Sequence, residues 1–138
     1  MLEFNLFLID YWYFSVPLFL FIFLFAYSEM NKGGKKIEPN ELTRLVNKES
    51  AILIDLRKKE DYENGHIMTA LNYPHQEFDN QMHELEKFKD RPIILVCDMG
   101  RNSANIGEKL KKSDFEKTFR LNGGMMTWTQ ENLPVVHK

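Results

Sequence analysis

The 138-residue chain holds a single cysteine, Cys97, placed where the apolar run Ile93-Ile94-Leu95-Val96 stops and the polar segment Asp98-Met99-Gly100-Arg101-Asn102-Ser103 begins. A strand that closes on a thiol and continues through a glycine-containing loop into a helix sets the sulfur over unpaired backbone N–H groups, at the positive end of a helix dipole. Such a site favours the charged form of the sulfur and cradles any anion that the sulfur carries. A free cysteine is more often an inert apolar filler. Cys97 differs in coming last in its strand, at the carboxyl edge where open α/β sheets bind ligands. Two neighbouring chemistries fall away. A cysteine phosphatase clamps its phosphoryl group with an arginine six places after the nucleophile, and that place is Ser103. A thioredoxin-type exchange lacks its resolving thiol.

The elements that must position this loop follow from hydrophobic periodicity. Pro39 suits the first turn of a helix whose apolar positions are Leu42, Leu45 and Val46. Ala51 to Ile54 is a short buried strand closing on Asp55, and Glu60 to Asn64 is a brief helix stopped by Gly65. Ala70 to Tyr73 reads as a strand ended by Pro74. Phe78, Met82, Leu85 and Phe88 mark residues 76–88 as one amphipathic helix. Pro92 opens the strand that carries Cys97, Ser103 to Lys112 is the helix after it, Lys117 to Leu121 is a last strand and Met125 to Glu131 a final helix. Strands alternating with helices over about 100 residues imply an α/β domain, with a mostly parallel sheet of about five strands covered on both faces.

The N-terminal end has a different character. Tyr11 to Ser28 contains no charge, and Leu6 to Ile9 extends the apolar stretch outward past Asp10. That is close to the roughly 20 residues needed to cross a hydrocarbon core as a helix. Tyr11, Trp12, Tyr13 and Tyr27 sit where aromatic belts meet lipid headgroups. The expected organisation is an anchor over residues 1–30 with its span at about 11–28, a flexible linker over 31–36 and a domain over 37–138. All 18 lysines and arginines lie beyond residue 31, and Lys32, Lys35 and Lys36 follow the span directly. By the positive-inside rule the N-terminus is outside and the C-terminal domain faces the cytoplasm. Setting aside Glu3, Asp10 and Glu29, 17 acidic residues face 18 basic ones, with no concentrated basic surface, so nucleic acid is not an expected partner. One cysteine and scattered histidines offer no metal-ligand spacing.

Four separate segments resemble the rhodanese-like domain family. Ile52-Leu53-Ile54-Asp55-Leu56-Arg57 is similar to its strand ending in Asp-x-Arg, and Asp61-Tyr62-Glu63-Asn64-Gly65-His66-Ile67 to its Gly-His-Ile signature. Leu95-Val96-Cys97 with its loop matches the active-site segment. Gly123-Gly124, Trp128 and Leu133-Pro134-Val135 resemble the closing pattern. The resemblance implies that Cys97 carries sulfur as a persulfide, taken from thiosulfate or another persulfide and passed to a thiol or protein acceptor, with no cofactor. Backbone groups of Asp98, Met99, Gly100, Arg101, Asn102 and Ser103 would hold the anion, with Asp55 and Arg57 as supporting residues. The family loop often reads Cys-x-x-Gly-x-Arg-Ser; here the arginine comes one place early, at Arg101, and Asn102 takes its usual position. The alternative implied is a non-catalytic module of the same fold that recruits a protein partner to the membrane.

Overall fold

The computed structural model describes residues 1–30 and 32–137, the Arg101 side chain excepted, and the chain divides into two compact units, 1–31 and 32–138. The first unit is two helices, α1 (Leu2–Asp10) and α2 (Trp12–Met30), parted at Tyr11. At 1.5 Å per residue the 19 residues of α2 extend about 28 Å. This helix buries none of its side chains and is long and apolar enough to cross a membrane.

The second unit is built on one sheet of β1 (Lys35–Ile37), β2 (Ile52–Asp55), β3 (Leu71–Asn72), β4 (Ile93–Val96) and β5 (Thr118–Leu121). The strands lie in the order β1-β5-β4-β2-β3, and every neighbouring pair is parallel. The central strands are continuous Ile/Leu/Val runs because both of their faces are covered. One face packs Leu53, Ile94 and Val96 under Leu42 and Leu45 of α3 (Pro39–Lys48) and Met125 and Trp128 of the last helix. The other packs Ile54, Ile93 and Leu95 under Phe78, Leu85, Ile106 and Leu110. The remaining helices are α4 (Lys59–Asn64), α5 (Phe78–Gln81), α6 (Arg101–Lys112) and α7 (Gly124–Gln130).

Two expectations are corrected. Residues 76–88 are not one α-helix: α5 is a single turn, and Met82–Phe88 continues as a 3-10 helix. The spacing of three from Met82 to Leu85 to Phe88 is the period of that tighter helix, which stacks all three on one side. Residues 31–36 are not a free linker over their described length. Gly33 and Gly34 are buried, and Lys35 and Lys36 already belong to β1, paired with β5. The lysines that make the segment read as solvated are exposed side chains of an edge strand, where such charges discourage further pairing.

Candidate active site

From β2 the chain moves outward to β3, whereas from β4 it moves the opposite way to β5. The carboxyl ends of β2 and β4 therefore flank the point where the winding reverses, the place where an open α/β sheet leaves a crevice. Cys97 is the first residue beyond β4, and Arg57 follows β2 by two.

The Cys97 loop turns back over its own sulfur. Gly100 takes φ 93°, a conformation that suits glycine, and caps the start of α6. Its N–H points at Cys97 Sγ across 2.9 Å, and Ser103 Oγ, buried, donates to the Gly100 carbonyl at 2.8 Å. The first-turn amides of α6, including those of Asn102 and Ser103, have no carbonyl partner inside the helix and add the positive end of its dipole. The loop is braced from α7: Met125 N–H donates to the Cys97 carbonyl at 2.7 Å and Met126 N–H to the Asp98 carbonyl at 3.0 Å. Gly124 makes this approach feasible, since a Cβ there would lie 2.1 Å from the Cys97 carbonyl oxygen. Asp98 and Met99 are exposed, and Asn102 is half-buried. The Arg101 side chain lies outside the described residues.

Depth was not legible beforehand. Cys97 is only 2 % exposed and packs within the core that holds Leu95 and Ile106. Asp55 and Arg57 lie elsewhere. Asp55 registers with Val96, so both face the side of the sheet opposite to Cys97. Asp55 is 1 % exposed; its carboxylate accepts the Arg57 backbone N–H at 2.9 Å, and its Oδ2 meets Arg57 Nη2 at 2.8 Å. The same Nη2 donates to the Gly65 carbonyl at 2.7 Å, tying the end of α4 to the end of β2. The pair thus organises the rim of the crevice. A cavity of about 260 Å³ opens there, lined by Arg57, Asp61, Gly65, Asp98 and Met125 among others. A separate apolar hollow of about 240 Å³, lined by Leu42, Val46, Trp128 and Pro134, has no titratable side chain in its wall.

The flanking signature residues are structural. His66 Nδ1 lies 2.7 Å from the Tyr62 carbonyl, and its ring stacks on Tyr62 with centroids 3.8 Å apart. Trp128 is buried and donates from Nε1 to the Pro134 carbonyl at 2.9 Å. One residue escaped the sequence reading. Arg120, in β5, is 5 % exposed; burial pushes its guanidinium below the ordinary arginine range, while the neighbouring Cys97 sulfur and Glu108 carboxylate act in the other direction. The only signal in the sequence is a lone cation between Phe119 and Leu121 in a strand otherwise built for a core.

This arrangement, a thiol closed over by a glycine-capped helix start at the carboxyl edge of a five-stranded parallel sheet, defines a class. The chain belongs to the rhodanese-like domain family, whose profile matches residues 38–131. Among its relatives is the uncharacterized protein YibN of Escherichia coli strain K12, 35% identical over 122 residues that cover 88% of this chain and 85% of that one. The thiosulfate sulfurtransferase GlpE of Shewanella oneidensis is 28% identical over 98 residues, covering 71% of this chain and 95% of the relative. In fold, the rhodanese-related protein of Thermoplasma volcanium superposes with a TM-score of 0.68 at 24% identity, over 75% of this chain and 99% of the other.

Proposed function

We propose that this protein is a membrane-anchored sulfurtransferase that carries sulfane sulfur on Cys97 at the cytoplasmic face. The Cys97 thiolate attacks the outer sulfur of thiosulfate; the new S–S bond gives Cys–S–S⁻, and sulfite leaves with the electron pair of the bond that breaks. An acceptor thiolate then attacks the terminal sulfur, takes it as its own persulfide and returns Cys97 to the thiolate. A protein or small-molecule persulfide serves as donor in the same way. The observation that carries this reading is the Gly100 N–H held 2.9 Å from Sγ at the start of α6. Donors aimed at a developing anion from a preorganised backbone are worth about 2.7–4 kcal/mol each in enzymes that use them.

The membrane part of the proposal rests on α2 and on the lysines that follow it. Protease added outside intact cells should spare the domain; digestion from that side contradicts the inward-facing orientation. The burial of Cys97 favours a second reading, a binding module that recruits a protein partner to the membrane without turnover. Sulfite release from thiosulfate in the presence of a thiol acceptor separates the two. Turnover lost in Cys97→Ala supports the enzyme, and a wild-type protein that releases no sulfite from thiosulfate and passes no sulfur from polysulfide to the acceptor leaves only the module.

A further inference from the structure

Arg120 occupies a position that should be apolar. Its registered partner in the sheet is Leu95, so its side chain leaves the same face as Leu95 and, two residues further on, Cys97. Burying a guanidinium is costly unless charge and hydrogen bonds compensate it. Nε donates to the Gly34 carbonyl at 3.3 Å, a bond that a neutral donor could also make. The compensating charge is Glu108 of α6, whose Oε1 also accepts the Gly33 N–H at 2.6 Å, and the Cys97 sulfur is the other electrostatic neighbour of the guanidinium. Of the elements packed about Cys97 and Arg120, α6 brings Glu108 to the guanidinium, the Cys97 loop carries the exposed Asp98 beside the Arg57 rim, and α7 has no charged side chain. From β2, Asp55 and Arg57 neutralise each other on the other face. Among the described residues, Arg120 is the one buried lysine or arginine, and it lies with Glu108 on the side of the sheet that Cys97 faces.

We propose that Arg120 is the buried counter-charge of Cys97, a positioning residue that stabilises the thiolate and then the persulfide anion from beneath the loop. The proposal rests on the sulfur-carrying reading of Cys97 but is tested apart from it, because alkylation reports the charge on the sulfur whether or not sulfur is ever transferred. The full chain in detergent micelles is titrated with iodoacetamide across pH, and the extent of Cys97 modification is followed by intact mass.

Arg120→Gln is expected to move the midpoint of the rate profile upward by about one pH unit, within the range that a nearby opposite charge supplies. That leaves roughly tenfold less reactive thiolate at any pH below both midpoints. Arg120→Lys should restore most of the shift, which a loss of packing alone would not explain. Glu108→Gln keeps an oxygen for the Gly33 N–H but removes the competing carboxylate, so its midpoint should fall. An unmoved midpoint in folded Arg120→Gln overturns the proposal. Should that variant not fold, an unmoved midpoint in Glu108→Gln does so. A shifted midpoint in a protein that never forms a persulfide would keep Arg120's role and remove the sulfurtransferase reading.

Discussion

Gly124→Ala perturbs the bracing of the nucleophile loop in a way whose size follows from the geometry. The new Cβ would lie 2.1 Å from the Cys97 carbonyl oxygen and 2.8 Å from that of Asp98, and Gly124 holds φ 61°. A left-handed conformation costs an alanine about 1–2 kcal/mol. Relieving the contact needs a shift of roughly 1 Å between α7 and the loop, and overpacking of that kind costs about 1–3 kcal/mol. The bonds from Met125 and Met126 to the Cys97 and Asp98 carbonyls would stretch with it. The expected loss is therefore about 2–5 kcal/mol, read from urea unfolding of the full chain in micelles by circular dichroism. Persulfide formation should fall by about 10²-fold, as misplacement of a reacting group by 1 Å allows. Gly100→Ala is the control. Its φ of 93° is as unfavourable, but a Cβ there meets nothing closer than the Gly123 nitrogen at 3.9 Å. It should cost only the conformational share, about 1–2 kcal/mol. If Gly124→Ala proves no more destabilising to urea than Gly100→Ala, the reasoning that α7 is packed against the loop backbone is wrong.

Other consequences concern the frame of the site. Asp55→Ala strips the nearly buried Arg57 of its carboxylate and should destabilise the domain by about 3–5 kcal/mol in the same unfolding assay; a loss below 1 kcal/mol would show that water reaches the pair freely. Tyr62 Oη donates to the Ala70 carbonyl at 2.6 Å, and burial, helped by the Asp55 charge, pushes its phenol above the ordinary value of 10.0. The folded domain keeps that proton where the unfolded chain has lost it, so this contribution is intact below about pH 10 and is lost as pH rises through the folded value. Tyr62→Phe should flatten part of the alkaline decline in urea midpoint and cost about 1 kcal/mol at neutral pH. An alkaline slope identical in the two proteins contradicts the assignment.

The fold was largely legible because its strands are short runs of Ile, Leu and Val between helical periods, and because a parallel sheet buried on both faces demands such runs. The place of Cys97 was legible for the same reason: the run ends one residue before it. What escaped are features that depend on packing between distant segments. The Met82-Leu85-Phe88 spacing serves an α-helix and a 3-10 helix alike. Lys35 and Lys36 look solvated, and only the register with Phe119 and Arg120 makes them a strand. Asp55 and Cys97 both follow apolar runs, yet the parity of the pleat sends them to opposite faces. Arg120 looks like an ordinary surface charge until β5 is seen to lie between β1 and β4.

The central claim is that Cys97, under the Gly100 amide, holds a second sulfur as an anion. Intact-protein mass after incubation with thiosulfate or polysulfide, free of reducing agents, tests it most directly. The account predicts a gain of one sulfur atom that a thiol acceptor removes and that Cys97→Ala never acquires. A wild-type mass that stays unchanged with both donors contradicts it.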